Sequence, residues 1–534
     1  MPGRAHAIVM LALLLAAPAA LHAQAPGATP APSPQTPPCA VPADDNWTNQ
    51  EKFVWRRVCA GEVADFNTEP GYLGDLDPQK APLPANRTLR PSFIVTVLTQ
   101  DKFANAIKQR GLRVTGARFA APLDLGNAEL RSELWFERCR FEGDVDLSWV
   151  RTAQPIAFNK SSIAGTLTFY AAQIGSNLYL QDSLIGAIVL NAARVARTLG
   201  FERSQVAGDA DMGGLDVGAN LEMNEVKLGD VLQMEGLHVG VNLDLHYANL
   251  QNVILIGARA QQMSFEGATV LGEVDMIGAQ VGGDLLMASA RFSKGLKLRS
   301  MQVGGQLNWS GTHFRGDVDL TGSRIAGALL LADTQWHGAM LTARFAKIGI
   351  IPRLTAPWPD NLEIEGLIYE GLDRPDDPHE QWFAKIRRYS RQPYEQLAHV
   401  LQTQGEIARA TAAHFAEREH DRNRSNQPYS VYVWLTVLKI TIGYGYYPQL
   451  ALVWVGFFIL LGAFVLRVSG EGAKHDMPWG FAYSFDMLIP FIRLRESHYR
   501  VEIASRWRYY FYFHRIMGWV LASFLVAGLS GLTK

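Results

Sequence analysis

Cysteine is scarce in this chain, with only Cys39, Cys59 and Cys139 among 534 residues. No spacing among them suggests a metal site, and the sequence contains neither a nucleophile elbow nor a glycine-rich dinucleotide loop. An excess of one charge is also lacking, because the formal net charge is −1, which provides no steering towards nucleic acid. These absences remove the usual sequence signatures of an enzyme. They predict no catalytic site, no cofactor, no metal and no nucleic-acid partner.

The most informative feature that is present is an apolar pattern that recurs every eleven residues, from about residue 119 to residue 336. In each unit a second apolar residue follows four positions after the first, and a third follows two positions later, as in Phe314, Val318 and Leu320. A short fixed period indicates stacked repeats, whose function is expected on a surface rather than in a pocket. The clearest first positions are Val270, Val281, Phe292, Val303, Phe314, Ile325 and Trp336.

The step of two residues within each unit favours strand over helix. An eleven-residue period could also encode a right-handed coiled coil. However, residues two apart, such as Val318 and Leu320, share a face in a strand and not in a helix. Glycine would cost a helix about 1 kcal/mol per unit, whereas it fits a tight solenoid corner. The glycines concerned are Gly272, Gly283, Gly305, Gly316 and Gly327.

The predicted fold class is therefore mainly β: a β-solenoid (β-helix) over residues 112–350, with two or more units in each coil. The first coil of a solenoid has an exposed apolar edge, so a cap is required. We assign residues 39–111, which contain helix-like stretches, to an N-terminal helical cap. After Ile350 the repeats fade, and three prolines, Pro352, Pro357 and Pro359, predict a loop-rich exit.

The N-terminus has the features of an exported protein. Residues 1–23 resemble a secretory signal peptide, because Arg4 precedes an apolar run that is followed by small residues; an uncleaved anchor is the alternative. Residues 24–38 are mostly Pro, Ala, Gln and Ser, which predicts a linker without structure. In an exported chain Cys39 and Cys59 could form a disulfide. Cys139 lies within a repeat and is interpreted as a small buried side chain.

The C-terminal third has helical and membrane character. Residues 351–430 are interpreted as a loop and a helical hairpin connector that packs on the end of the solenoid. Residues 431–534 form a predicted membrane region with two spans, 450–466 and 516–532, each near the lower limit for crossing a bilayer. Glycines within the spans, such as Gly462 and Gly518, would allow close helix contacts. Residues 431–442 are too short to span and predict an interfacial helix.

The charge of the loop between the spans predicts the topology. This loop is rich in arginine, and positive loops stay in the cytoplasm. The solenoid would then lie on the other side, in the periplasm, in agreement with the signal peptide. The predicted location is the inner membrane, with several passes.

Two motifs in the membrane region could carry function. Thr441, Gly443, Tyr444 and Gly445 match the selectivity-filter signature of potassium channels, in which backbone carbonyls replace the hydration shell of the ion. The alternative interpretation is a Gly/Tyr turn at the membrane surface, because the motif precedes the first predicted span. Asp486 lies in the apolar stretch 478–492, which predicts either a re-entrant half-helix or an amphipathic surface helix.

Paired carboxylates recur through the repeats. Such pairs could serve glycoside hydrolysis or bind calcium. Each pair flanks an inward apolar residue, however, so both carboxylates are expected on the outward face, as a solvated surface requires. The pairs are Asp144 with Asp146, Asp209 with Asp211, Glu273 with Asp275, and Asp317 with Asp319.

The chain as a whole resembles a family of bacterial membrane-associated β-solenoid proteins related to pentapeptide-repeat proteins, sometimes labelled membrane-associated oxidoreductases. The resemblance is carried by the repeats and by Gly111–Phe119, Gln392–Ala398, Gly443–Pro448 and the segment from Gly518 to Leu532. It implies a β-solenoid attached to a membrane. No flavin, nicotinamide or redox-thiol motif accompanies it in this sequence.

The predicted function is that of a non-enzymatic binding or scaffolding module. Its expected partners are the lipid bilayer and an envelope protein or polysaccharide. Two alternatives come from other classes of protein. A channel or transporter accessory would use the motif at Thr441 to Gly445 together with Asp486, and a polysaccharide-active enzyme would use the outward carboxylates.

Overall fold

The computed structural model describes residues 39–529, apart from residues 73, 109, 379, 425–426, 478, 490 and 504. The predicted signal peptide, 1–23, and the linker, 24–38, lie outside the described residues. Within the described part, a parallel β-solenoid of about twelve turns is followed by a C-terminal helical region. The predicted β-solenoid is therefore confirmed.

Each coil of the solenoid contains about 22 residues, which is two of the eleven-residue units. Leu112 pairs in parallel with Leu134, and Phe119 with Phe141. Each coil has four short strands and so four faces. We number the faces in chain order by one coil: face 1 at Leu134–Glu137, face 2 at Arg140–Phe141, face 3 at Val145–Asp146 and face 4 at Arg151–Thr152.

The strands stack face by face along the solenoid. Face 1 contains Leu112–Thr115, Leu134–Glu137, Ile156–Asn159, Leu178–Tyr179, Leu199–Gly200, Leu221–Glu222, Asn242–Asp244, Gln262–Ser264, Leu285–Leu286 and Leu307–Asn308. Face 2 contains Arg118–Phe119, Arg140–Phe141, Gln205–Val206, Lys227–Leu228, Asn249–Leu250, Thr269–Val270, Arg291–Phe292, His313–Phe314 and Gln335–Trp336. Face 3 contains Leu123–Asp124, Val145–Asp146, Ala210–Asp211, Leu232–Gln233, Val253–Ile254, Val274–Asp275, Leu296–Lys297, Val318–Asp319, Met340–Thr342 and Asn361–Glu363. Face 4 contains Glu129–Leu130, Arg151–Thr152, Gln173–Ile174, Arg194–Val195, Asp216–Val217, His238–Val239, Arg259–Ala260, Gln280–Val281, Gln302–Val303, Lys347–Ile351 and Ile368–Leu372. Five longer strands bend across two faces: Ser162–Thr168, Leu184–Val189, Arg324–Leu330, Lys347–Ile351 and Ile368–Leu372.

Inward side chains form continuous buried ladders, because equivalent residues of successive coils lie directly above one another. Leu285, Leu307 and Leu329 are one such ladder, and all three are buried. A polar ladder is also buried: the hydroxyl of Ser183 accepts a hydrogen bond from the backbone N–H of Ser161 and donates one to the carbonyl of Phe158. Buried polar groups need partners of this kind.

Cys139 occupies the position of this polar ladder one coil before Ser161. The hydroxyl of Ser161 accepts a hydrogen bond from the backbone N–H of Cys139 at 3.1 Å. The thiol is free and fully buried, and burial raises its pKa to about 12. It therefore contributes as a small core side chain, because the reactive thiolate form is suppressed.

The glycines predicted at the solenoid corners have a different physical role from the expected one. None of the five adopts a positive φ. Instead they lie against the preceding coil, and a Cβ on Gly316 would stand 2.2 Å from the backbone carbonyl carbon of Lys294. The left-handed corner residues come elsewhere in each unit, and many are not glycine, as at Ser289, Ser300 and Asp333. Close approach between coils, rather than backbone conformation, selects glycine at these five positions.

The N-terminal cap contains helices α1 (Asn49–Ala60), α2 (Pro91–Thr99) and α3 (Asp101–Ala104), together with strand Ala64–Asp65 and the 3₁₀ turn Ala85–Arg87. Strand Ala64–Asp65 pairs with Val114 and Thr115, and so covers the exposed edge of the first coil. Cys39 and Cys59 form a disulfide with a Cα–Cα distance of 5.3 Å. This bond ties the start of the described chain to the end of α1.

The solenoid continues beyond residue 350, where the sequence predicted its end. Met340–Thr342 pairs with Asn361–Glu363, and Lys347–Ile351 pairs with Ile368–Leu372. The three prolines between residues 352 and 359 therefore belong to a loop within a coil, and this coil is not lengthened, because the paired residues Leu341 and Leu362 are 21 positions apart. A proline-rich loop within a coil and a proline-rich exit look alike in sequence, because both interrupt the repeat.

A helical hairpin covers the last coil, after the short helix α4 (Glu380–Phe383). It consists of α5 (Gln392–Thr403) and α6 (Ile407–Arg422). Side-chain amides of α5 bond the open edge of the solenoid: Gln392 donates to the carbonyl of Leu367, and Gln396 donates to that of Tyr369. Gln404, just after the helix, donates to the carbonyl of Leu372. The hairpin thus satisfies backbone carbonyls that have no further coil to pair with.

The C-terminal region contains α7 (Tyr429–Ile442), α8 (Leu450–Ser469), α9 (Glu471–Lys474), α10 (Phe481–Leu488) and α11 (Arg508–Leu529), with 3₁₀ turns at Gly443–Gly445 and Glu496–Arg500. Among the described residues one helix, α8, is long and apolar enough to cross a membrane. The sequence predicted two such spans. The second predicted span, 516–532, begins within α11, which also includes His514 and Arg515, and its last three residues lie outside the described part.

Two glycines allow α8, α10 and α11 to pack closely. A Cβ on Gly518 of α11 would lie 1.6 Å from the carbonyl oxygen of Leu488, and one on Gly462 of α8 would lie 2.2 Å from the Ser484 hydroxyl. His514 of α11 is fully buried, with its Nε2 3.1 Å from the Ser484 carbonyl oxygen. The short helix α10 is therefore held between the two long helices.

Candidate binding face and the predicted membrane motifs

Face 4 presents a column of polar, mostly basic side chains along the solenoid. It is formed by the outward residues of the face-4 strands from Glu129 to Lys347, each of which directly precedes a buried residue. All members are exposed except Asp216, which is half-buried. We call this set the basic column: Glu129, Arg151, Gln173, Arg194, Asp216, His238, Arg259, Gln280, Gln302, Arg324 and Lys347.

Among the described residues, the ion pairs of the basic column lie in its middle. Asp216 accepts a hydrogen bond from Arg194 at 2.8 Å and lies 3.0 Å from His238 Nδ1. His238 and Arg194 hold the pKa of Asp216 below its ordinary value, against the opposing effect of burial. Across the described residues, no carboxylate lies within ion-pair distance of Arg151, Arg259 or Arg324. These guanidinium groups are open to an external anion.

A trough of small residues runs beside the basic column. Along the basic column, the residue that follows each buried residue is glycine or alanine, except at Arg131 and Gln261. The missing side chains leave shallow grooves, one next to Arg151 and Gln173 and another next to Arg259 and Gln302. The small residues are Ala153, Gly175, Ala196, Gly218, Gly240, Gly282, Gly304, Ala326 and Gly349.

The neighbouring face 3 carries the opposite charge. The outward residues of its strands include six carboxylates and one lysine, Lys297. Charge is therefore separated between two neighbouring faces of the solenoid. The carboxylates are Asp124, Asp146, Asp211, Asp275, Asp319 and Glu363.

Comparison with known proteins assigns no family. Searches of protein-family models, curated proteins and solved structures find no match to the chain.

The basic column was not recognised from the sequence. Its members are about 22 residues apart, as Arg151 and Gln173 are, whereas the visible period is eleven residues. An eleven-residue grid superimposes face 2 on face 4 and hides the separate charge of each. Comparing residues 22 positions apart, instead of eleven, would have revealed the column, but this requires knowing that two units form one coil.

The channel-like motif forms a tight turn between α7 and α8. The hydroxyl of Thr441 donates to the carbonyl of Val437 within α7, and Gly443 ends that helix in the left-handed conformation. Tyr444 also has a positive φ, and its hydroxyl donates to Glu419 of α6 at 2.5 Å. Gly445 completes the turn with a φ of 93°. The motif thereby attaches the start of α8 to the helical hairpin that covers the last coil.

Glu419 is the acceptor at this junction, and its contribution is expected to depend on pH. Burial raises its pKa, but hydrogen bonds from Lys439 and Tyr444 outweigh burial and lower the pKa below the ordinary value of 4.5. Stabilisation by the carboxylate is thus present above pH 4.5 and is lost as the pH falls through the lowered pKa. We expect the junction to weaken by about 1 kcal/mol on acidification.

This effect can be measured by hydrogen exchange of the turn between α7 and α8, across a pH series corrected for the intrinsic exchange rate. Protection should fall at acid pH in the native protein. Glu419→Gln should show lower protection that does not change with pH. Equal pH dependence in both proteins would contradict the role of this carboxylate.

Asp486 is fully buried and fastens a loop. Its carboxylate accepts hydrogen bonds from the backbone N–H groups of Leu494 and Arg495, at 2.6 and 3.1 Å, and lies 2.7 Å from His498 Nδ1. The hydroxyl of Tyr499 donates to the backbone carbonyl of Asp486 at 2.8 Å. All these partners belong to the segment between α10 and α11. The carboxylate therefore holds that segment against α10.

The paired carboxylates of the repeats cap backbone groups. In three of the four pairs, the first member accepts a backbone N–H from the next coil, as Asp144 does from Thr166 at 2.8 Å. The second member accepts from the residue two positions ahead, as Asp146 does from Ser148. Glu273 instead pairs with Lys297. Within the described residues, no group of three or more His, Cys, Asp or Glu side chains is arranged to hold a metal ion.

Proposed function

We propose that the protein is a membrane-tethered periplasmic β-solenoid that acts by binding or scaffolding another component of the cell envelope, without catalysis. The observation that carries this proposal is the basic column of face 4. It extends along nearly the whole solenoid, from Glu129 to Lys347, with three arginines that have no carboxylate partner in the described structure. A long, rigid and charged face suits recognition of an extended partner.

Several further features support the location in this proposal. The disulfide between Cys39 and Cys59 is typical of an exported protein, because cytoplasmic thiols are kept reduced. The signal-like segment 1–23 and the apolar helix α8 are consistent with export and with a membrane anchor. The resemblance to membrane-associated β-solenoid proteins points in the same direction.

The proposed membrane region has two spans, α8 and residues 516–532, with the arginine-rich segment between them in the cytoplasm. In this arrangement α7 lies in the interface. Its 14 residues extend about 21 Å, less than the bilayer core of about 30 Å. Exposed apolar side chains on α7, such as Trp434 and Ile440, would contact lipid.

Reporter fusions test this topology. We expect an enzyme that is active only in the periplasm to be active when fused after Arg424, inactive after Gly470 and active again after Lys534. A fusion after Arg424 keeps the solenoid and its helical hairpin complete. Deletion of residues 1–23 should abolish the activity of that fusion.

Each other pattern has a distinct meaning. Activity after Gly470 would contradict the cytoplasmic loop. Activity after Arg424, with no activity after Gly470 or Lys534, would mean that α8 crosses the membrane and residues 516–532 do not. Activity after Arg424 that survives deletion of residues 1–23 would contradict export by that segment.

A further inference from the structure

The unpaired arginines of the basic column differ from many other arginines of the solenoid. Arg113 forms a two-pronged ion pair with Glu133, and Arg203 forms one with Asp182. The three unpaired arginines instead point to an anionic ligand, because a guanidinium group binds carboxylate, sulfate or phosphate groups through paired N–H donors.

The distances between the arginines favour a polymeric ligand whose charged groups are well separated. Successive coils of a parallel solenoid lie about 4.8 Å apart. Of the three unpaired arginines, Arg259 and Arg324 are three coils apart, or about 14 Å, and Arg151 and Arg259 are five coils apart, or about 24 Å. The intervening positions include Gln280 and Gln302, whose amides both donate and accept hydrogen bonds. Hydroxyl groups between the charged groups of a ligand would match these amides.

The trough favours a chain that lies lengthwise over a flat surface. Its glycines and alanines lower the surface beside the arginines, so that a narrow polymer can contact the backbone and the basic column together. A membrane surface is broad and would rest on the projecting side chains without entering the trough. This shape therefore favours a polymer over lipid headgroups.

An exposed aromatic pair stands at one end of the same face. Trp149 and Tyr170 are about half exposed, and their rings meet edge to face at 5.7 Å. Trp149 occupies the corner between faces 3 and 4, two residues before Arg151. Such rings offer a flat apolar surface with polar edges, on which the C–H face of a sugar can pack.

Face 2 is also basic, but the N-terminal cap partly covers it. Gln79 donates to the backbone carbonyls of Ser161 and Asp182, and Arg140 donates to that of Pro78. Face 2 does, however, carry three exposed cationic residues, Lys227, Arg291 and Arg315, with no carboxylate within ion-pair distance in the described structure. These residues serve as a matched control.

We propose that face 4 binds an anionic polysaccharide, laid along the trough with its acidic groups on Arg151, Arg259 and Arg324 and a sugar ring on Trp149. This inference rests on the proposed function, since a periplasmic solenoid would meet such polymers in the envelope. The binding experiment uses the purified full-length protein in detergent, with polygalacturonate as the probe. Dextran, a single-stranded oligonucleotide and anionic lipid vesicles are the competing ligands.

We expect polygalacturonate to bind and its affinity to fall with added salt. The triple variant Arg151→Gln, Arg259→Gln, Arg324→Gln should bind about ten- to a hundredfold more weakly. The control triple, Lys227→Gln, Arg291→Gln, Arg315→Gln, removes the same charge from face 2 and should bind within about twofold of the native protein. Trp149→Ala should weaken binding without changing the salt dependence. Circular dichroism should be unchanged in every variant, because all these side chains are exposed.

Four binding results would overturn the proposal. Equal losses in the two triple variants would mean non-specific attraction, and equal binding of dextran would remove the role of charge. Tighter binding of the oligonucleotide or the vesicles would identify a different class of ligand. No binding of polygalacturonate, together with fusion results as expected, would refute the glycan and leave the periplasmic tether intact. A cytoplasmic solenoid in the fusions would refute the proposed function whatever binds.

Discussion

Replacing Gly316 with alanine is expected to destabilise the solenoid by about 3 kcal/mol, the upper part of the usual range for overpacking. The added Cβ would lie 2.2 Å from the carbonyl carbon of Lys294 and 2.5 Å from the backbone nitrogen of Gly295. Both atoms belong to the backbone of the neighbouring coil, so no side-chain rotation can relieve the clash. The coils would have to separate locally, which weakens the parallel pairing on both sides.

Gly278 provides the matched control for Gly316. It has a φ of 69°, and a Cβ there would meet nothing within 4 Å. Gly278→Ala should therefore cost only the strain of a left-handed residue, about 1 kcal/mol, as Ser289 and Ser300 tolerate in the equivalent corners. Urea unfolding followed by circular dichroism compares the two variants. A larger loss for Gly278→Ala would contradict the explanation by close coil approach.

Replacing Asp486 with alanine is expected to release the segment between α10 and α11, at a cost of about 3 kcal/mol. The substitution leaves the backbone N–H groups of Leu494 and Arg495, and the buried imidazole of His498, without their acceptor. Trypsin can report this release, because Arg493, Arg495 and Arg500 lie in that segment. Cleavage there should accelerate about a hundredfold or more, since each 1.4 kcal/mol changes the open population tenfold.

The conservative variant separates a structural role of Asp486 from a role in a pore. Asp486→Asn keeps one side-chain oxygen as an acceptor and should give cleavage intermediate between the native protein and Asp486→Ala. If the carboxylate served only ion passage, both substitutions would leave trypsin resistance unchanged and would alter the conductance measured in planar bilayers. Unchanged cleavage in Asp486→Ala would therefore contradict the fastening role.

Much of the fold could be predicted because its signals are local. The two-residue step from Val318 to Leu320 identifies a strand from within a single unit, and the apolar run of α8 identifies an apolar helix in the same way. The end of the solenoid could not be predicted, since the prolines at residues 352–359 interrupt the repeat whether or not another coil follows. The second predicted span was not confirmed. The described part of α11 includes His514 and Arg515 beside its apolar residues, and α8 is the one described helix that is long and apolar enough to cross a membrane.

The candidate site was harder to predict than the fold. The sequence drew attention to Asp486 and to Thr441 through Gly445, and the structure gives each of them nearby hydrogen-bond partners within the chain. It also drew attention to the carboxylate pairs, which cap backbone groups of their own or the next coil. The basic column was missed, since its members are adjacent only after the chain has coiled.

The sequence by itself determined that this protein is a stack of short strands with buried ladders, because the pattern of apolar residues and glycines is complete within each eleven-residue unit. Only the tertiary structure decided that two units make a coil with four faces, and hence which charges share a face. That decision is not local: the length of a coil depends on how the chain closes on itself, and residues 22 apart become neighbours only then. The arginines of face 4 therefore share one face only because each coil closes after two units.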